Sequence, residues 1–481
     1  MSNENMDDKV YRAEGSNYDV VEQVLAPERL DVAQLRASFK GQVIGPEDAG
    51  YEEARTVFYG GVDRRPAVII RPVDTNEVSR VVLLARETGL PLAVRSGGHS
   101  SAGHSVVEGG IVLDLKDMKG LQIDAKNRTA WVETGLTAVE YTTAADAHDL
   151  ATGFGDTGTV GIGGLTLGGG IGFLVRKHGM TIDSLLAAEV VTADGELLYV
   201  DEQNHPDLFW AIRGGGGNFG VATRFKFRLQ ELGDIYGGML FLPATPEVIA
   251  AFIAEAESAP EELSTIANVM PAPPMPFIPE ELHGQMIVFA MLVYAGPVEA
   301  GEQALAPFRA IATPLADMLK PMRYPEMFPP EEGDYHPTAV GTTIFLDEIG
   351  RSEAEKIVSY LAKSDAVLRV AQLRVLGGAM SRVPDEATAF AHRNRRIMAG
   401  IYAFYDGPED RVEKEAWAAE LSRELQPGHP GGYVNFLGDE GEGRIRQAYP
   451  GATWDRLRQI KARYDPTNLF KMNQNIPPAG L

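Results

Sequence analysis

The glycines of this chain are bunched. Of 52 in 481 residues, many fall in three runs: RSGGHSSAGHS (95–105), GDTGTVGIGGLTLGGGIG (155–172) and GGGGNFG (214–220). Glycine loses more backbone entropy on folding than any other residue, so it stands where the chain turns tightly or backbone closes on something. One such run reads equally well as a set of turns. Three long ones point to a large phosphate-bearing ligand, because successive N–H groups form concave nests that hold a diphosphate without lysine.

The flanks say where the first run lies. AVIIRP (67–72), DTNEVSRVVLLARETG (74–89) and PLAVRSGG (91–98) read as strand, helix and strand. Asp74 and Glu77 sit at capping-box spacing and Gly89 is a stop signal. That order implies a right-handed crossover between parallel strands. The RSGGH loop then falls at the carboxyl end of the second strand, where α/β sheets bind ligands.

IVLDL (111–115) and TAWVE (129–133) read as strands and 137–150 as a helix. Segments 187–193 and 196–200 flank Asp194–Gly195, a hairpin signal. VATRFKFRL (221–229) alternates like a half-buried strand. From residue 233 longer strands such as 283–296 alternate with amphipathic helices such as 246–258, which predicts an antiparallel sheet with helices on one face. MPAPPMPFIP (270–279) is expected to be a loop or edge. Residues 1–30 read as a polar tail, and 453–478 as a helix and an irregular tail.

GFGDTG (153–158) and GGGNFG (215–220) match the dinucleotide pattern G-x-G-x-x-G. The pattern works only between a strand and the helix whose amino end holds the pyrophosphate. The first match is expected to follow a helix and the second to precede a strand, which argues against a nicotinamide dinucleotide fold. Cysteine is absent, so disulfides, thiolate metal sites and thiol catalysis are excluded. A formal charge of −23 repels nucleic acid and anionic membranes. No apolar run is long enough to span a bilayer, and MSNENMDDKV has no signal-peptide pattern, so the expectation is a cytoplasmic protein.

Four blocks together carry a resemblance: RSGGHS (95–100), TVGIGGLTLGGGIG (159–172), WAIRGGGGNFGVAT (210–223), and a terminal helix before DPTNLF (465–470) and NQNIPP (473–478). In kind, order and spacing they resemble the FAD-linked oxidases of the berberine-bridge-enzyme type, within the vanillyl-alcohol-oxidase fold group. The resemblance covers roughly residues 35–478.

It implies an α+β fold: a two-part PCMH-type FAD-binding domain (31–232), a substrate domain with a large antiparallel sheet flanked by helices (233–437), and a C-terminal return to the FAD domain (438–481). It implies FAD as cofactor, with His99 bonded through its ring to the flavin 8α-methyl. In the first block Arg95, Ser96, Gly97, Gly98, Ser100, Ser101, Gly103 and His104 would hold the cofactor. In the second, Thr157, Val160, Gly161, Gly163, Gly164, Leu167, Gly168, Gly169, Gly170 and Gly172 would do so. Val221, Asn473 and Asn475 complete the set. Many relatives attach FAD a second time through a cysteine where this chain has Thr157, so a single bond is expected.

Val160 stands where, in plant members, valine accompanies oxygen reactivity and leucine its loss, which points to an oxidase acting on a small molecule and O2. Tyr433 and Asn435 fall where relatives place a tyrosine and an asparagine over the flavin ring. Tyr433 would be a base if neighbours lowered its phenol pKa, or a packing residue of an alternating strand. His392 and Arg393 read as a surface pair that could instead face the cleft. Phe404 and Tyr405 read as pocket or core. A flavin dehydrogenase with another acceptor, or an idle flavin-binding protein, remains open on the sequence.

Overall fold

The computed structural model describes residues 30–274, 278–328, 335–426 and 431–480. The polar tail before Leu30 and residues 275–277 of the proline-rich segment lie outside them.

Asp74 starts the helix Thr75–Thr88 by accepting from the Glu77 N–H at 3.0 Å, and Gly89 ends it with φ +68°. Its buried face, Val78, Val81, Val82 and Ala85, packs on a four-stranded sheet. The strand order there is Gln42–Ile44, Val68–Arg71, Ile111–Asp114, Leu92–Arg95. The last three run parallel, so the crossover is present, with Ile111–Asp114 inserted between the two strands it joins. Nearly every residue of these strands is buried, as parallel strands covered on both faces require. Leu92–Arg95 ends at the RSGGH loop.

A second sheet is antiparallel, in the order Leu121–Asp124, Thr129–Glu133, Val221–Arg228, Leu185–Val191, Leu197–Val200. The Asp194–Gly195 hairpin forms as expected, with Gly195 at φ +80°. Val221–Arg228 buries alternate residues. The expected helix over 137–150 stops earlier, at Ala138–Asp146, opened by a Thr137/Glu140 capping box. Leu150–Ala151 instead pairs with Gln230–Glu231. GFGDTG therefore follows a strand, not a helix, but that strand is a two-residue antiparallel edge and not part of a parallel crossover.

The third sheet is large and antiparallel. Its order is Ala316–Asp317, Ile235–Pro243, Met286–Tyr294, Leu263–Pro271, Leu368–Val375, Ile397–Phe404, Ala339–Leu346, with Lys320–Met322 also beside Ile235–Pro243. Helices Pro246–Ser258, Arg351–Lys363 and Arg411–Leu425 bury apolar residues in its core. The expectation of a loop at 270–279 fails at its first two residues. Met270 and Pro271 close a central strand opposite Ile287 and Met286, and Pro271 is tolerated at the last strand position.

The helix Ala452–Tyr464 and the tail after it return to the core of the second sheet through Trp454, Leu457, Ile460 and Ile476. We propose unit boundaries near residues 232 and 437 from this arrangement. Among the described residues no helix is long and apolar enough to cross a membrane.

Candidate functional site

One cleft of about 560 Å³ brings the three glycine runs, the C-terminal tail and a face of the large sheet together. That volume lies within the range of small-molecule and cofactor sites.

Of the first run, Ser96, Gly97, Gly98, His99, Ser100, Ser101 and His104 line it. Gly97 is where backbone meets backbone: a Cβ there would lie 2.2 Å from the Gly161 nitrogen, and one on Gly161 would lie 2.1 Å from the Gly97 nitrogen. The Ser96 hydroxyl pins this crossing, donating to the Thr134 carbonyl at 2.6 Å and accepting from Gly163 N–H at 3.3 Å. His99 stands above it, stacked on Phe58 (centroids 4.2 Å apart, planes at 20°), with Nε2 3.0 Å from the Thr159 hydroxyl. Burial holds the His99 imidazole down to about 4, so the ring is neutral at pH 7. His104 is also held to about 4 by burial, and its Nε2 is buried without a partner among the described residues.

Arg95 and Gly103 do not reach the cleft. Arg95 is buried, donating to Asp114 at 2.8 Å and to the Ala54 carbonyl, so it braces the strand ends. Gly103 makes its turn with φ +70° against Val62.

Thr157, Val160, Gly161, Gly163, Gly164 and Leu167 of the second run line the cleft, as does Val221. Gly168, Gly169, Gly170 and Gly172 face packed protein instead. Added Cβ atoms on them would strike Asn435, Met180, Thr181 and the Phe154 carbonyl respectively. Their absent side chains serve close packing. In the tail, Asn473 lines the cleft with a buried Oδ1 that has no partner among the described residues, whereas Asn475 does not line it.

Residues 431–438 form no strand; a short turn spans Val434–Phe436. It presents Tyr433 and Asn435 to the cleft. The Tyr433 hydroxyl accepts from Gly170 N–H at 2.8 Å and from Asn435 Nδ2 at 2.9 Å. Burial nevertheless pushes its phenol up to about 12, against those two bonds. His392 and Arg393 are neither on the surface nor in the cleft. Both are buried, Arg393 clasping Asp183 through two bonds of 2.7 and 2.8 Å, and His392 beside the Gln447 carbonyl. Phe404 lines the cleft, and Tyr405 packs with Val340, Ala366 and Ala403 elsewhere.

Sequence reasoning missed the opposite wall: Asn268, Gln372, Arg374 and Tyr402 of the large sheet, with Tyr59 and Asp156. A signal existed in LRVAQLRV (368–375), where Gln372 and Arg374 break an apolar strand at spacing two. Asn218 was also missed. Its side chain bonds Gly215 O, Gln474 O and Ile476 N–H, tying the third glycine run to the tail. Among the described residues no cluster of three or more His, Asp or Glu could hold a metal.

The two kinds of glycine predict different failures. Gly161→Ala should destabilise the protein by about 1–3 kcal/mol, because backbone must move. Gly164, where a Cβ meets nothing within 4 Å, should accept valine without lowering the apoprotein's melting temperature. The Gly164→Val change should instead lower bound cofactor. Thermal unfolding and the cofactor-to-protein absorbance ratio check both.

A profile described as "FAD binding domain" matches residues 66–201, and one described as "Berberine and berberine like" matches 432–477. An FAD-linked oxidoreductase of Bacillus subtilis (strain 168) is 31% identical over 457 residues, covering 91% of this chain and 98% of that protein. An (R)-6-hydroxynicotine oxidase of Paenarthrobacter nicotinovorans is 29% identical, covering 92% and 98%. The solved 6-hydroxy-D-nicotine oxidase from Arthrobacter nicotinovorans superposes with a TM-score of 0.81 at 25% identity, covering 91% of this chain and 98% of that one. A xylooligosaccharide oxidase from Myceliophthora thermophila, in complex with xylobiose, shares the fold (TM-score 0.82, 24% identity, 94% and 100% covered).

Proposed function

From the premise that the chain belongs to the FAD-linked oxidoreductases, we propose that it is an oxidase carrying FAD on one covalent bond to His99. In this reading it removes hydride from a C–H beside oxygen or nitrogen in a small organic substrate and passes the electrons to dioxygen. The residues present fit the cofactor. The Gly97–Gly161 crossing leaves bare backbone at the cleft, and His104 Nε2 and Asn473 Oδ1 are buried polar atoms on lining residues with no partner among the described residues.

The observation that carries the reading is His99 itself. It is a neutral imidazole held by Phe58 and Thr159 in a glycine-walled cleft. A neutral ring keeps a nitrogen lone pair free for bonding. FAD, when bound, supplies the hydride acceptor and the reaction with oxygen. This chain's part is placement. Ser96, Gly97, Gly161 and Gly163 present backbone to the cofactor, Thr157 offers no thiol for a second bond, and Val160 shapes the wall where oxygen would enter.

The test is an anaerobic screen of cyclic amines, oligosaccharides and secondary alcohols for substrate-dependent flavin bleaching, followed by air. The reading predicts bleaching, then recovery of colour with hydrogen peroxide formed. Bleaching that air does not reverse would favour another electron acceptor. Val160→Leu should slow the recovery by tenfold or more. A barrier to reoxidation higher by ~1.4 kcal/mol is a factor of ten in rate.

A further inference from the structure

Oxidising a C–H beside an O–H or N–H also releases a proton, which a group in the cleft must take. Among the described residues lining the cleft, Asp156 is the one carboxylate. It stands on the second glycine run and reaches across to the large sheet, where its Oδ2 accepts from Arg374 Nη2 at 2.6 Å. Its other oxygen, Oδ1, accepts from no described residue.

Arg374 is fixed from behind. Its Nε and Nη2 donate to Gln372 Oε1 at 3.0 and 2.7 Å. Gln372 Nε2 donates to Asn268 Oδ1 at 2.9 Å, and Asn268 Nδ2 to the Phe289 carbonyl at 3.2 Å. A chain of bonds thus runs from the sheet backbone to Asp156 and sets the carboxylate's position. Tyr402 lies flat on the same sheet face, in room made by two glycines. A Cβ on Gly341 or Gly400 would come within 2.3 or 2.6 Å of its ring. The hydroxyls of Tyr402 and Tyr59 bond to no described residue, and both residues line the cleft.

Charge selects the substrate's reacting group. Asp156 and Arg374 form a neutral pair, so an ammonium docking on Oδ1 would meet the guanidinium and a carboxylate would meet Asp156. A neutral hydroxyl meets neither penalty and donates one hydrogen bond.

We propose that Asp156 is the proton acceptor of the reaction and that the group it receives is a neutral hydroxyl, with Arg374 as its positioning residue. This rests on the FAD-oxidase reading above. The O–H bond breaks and its proton goes to Asp156 Oδ1. The adjacent C–H bond breaks with both electrons, leaving as hydride to bound FAD, and a C=O bond forms. The groups facing Asp156 are Arg374, Tyr402, Tyr59 and Tyr324, and burial raises all three phenols, so none of them titrates in competition near neutral pH.

The test uses the FAD-loaded protein with xylobiose, glucose and benzyl alcohol as neutral probes and benzylamine and benzoate as charged ones. Anaerobic stopped-flow follows flavin absorbance. At least one hydroxylated probe should reduce the flavin. Asp156→Asn, which keeps an oxygen for Arg374, should lower the limiting reduction rate about 100-fold or more with little change in half-saturating concentration. Added formate should partly restore Asp156→Ala. An unchanged reduction rate in Asp156→Asn, or no rescue of Asp156→Ala by formate, overturns the proposal. So does reduction by benzylamine alone, or a yellow protein that no hydroxylated probe reduces. A colourless protein refutes the FAD reading instead.

Discussion

Acid precipitation of the His99→Ala variant should release all of its flavin into the supernatant, whereas the parent's colour should stay with the pellet. Only a bond to the chain survives denaturation, and His99 is the cleft imidazole with both a stacking and a hydrogen-bonding neighbour. His104→Ala is the matched control: its ring lies in the same cleft, and its flavin should remain in the pellet. The variant itself should fold, since the lost stacking on Phe58 is worth about 0.5–1.5 kcal/mol. Attachment should also be insensitive to pH between 8 and 6. The folded imidazole is neutral throughout that window, and its lone pair is lost only as pH falls toward about 4. A bond that formed in His99→Ala, or one that weakened in step with an ordinary histidine near pH 6.5, would assign the tether elsewhere.

The second large effect lies away from the cleft. Lys461 and Asp465 are both fully buried and paired at 2.7 Å. The ammonium also donates to Asn218 O and Phe470 O, while Asp465 accepts from Leu469 and Phe470 N–H. Lys461→Met leaves a buried carboxylate uncompensated, which costs about 3–5 kcal/mol. The denaturant midpoint should fall accordingly. Lys461→Met combined with Asp465→Asn should recover part of the loss, because the amide oxygen keeps one acceptor and carries no charge. The single variant should also bind less flavin, since Asn218 and Gln474 of the cleft wall hang from this pair. A loss of unfolding free energy below about 1 kcal/mol, well short of a stranded buried charge, would show that water reaches the pair.

How much of this was legible beforehand depended on side chains that carry a pattern. Asp74, Glu77 and Gly89 mark their helix because capping is local, and Asp194–Gly195 marks its hairpin for the same reason. The RSGGH loop could be placed at a strand end because the crossover rule fixes it. Which glycines face the ligand was not legible. Gly164 and Gly170 look alike in sequence, yet one opens on the cleft and the other is packed under Thr181, and only tertiary structure separates them. Arg393 misled because charge usually means surface, and its partner Asp183 is 210 positions away. The Asp156–Arg374 bridge was hidden likewise, its halves 218 positions apart on a glycine loop and a sheet strand.

The most direct measurement is the mass of the intact, denatured parent protein, followed by that of the proteolytic peptide containing His99. A chain heavier by one covalently bound FAD, with the increment on the His99 peptide, is the result expected. A bare-chain mass from visibly yellow protein, or the increment on a peptide without His99, would contradict the account at its centre.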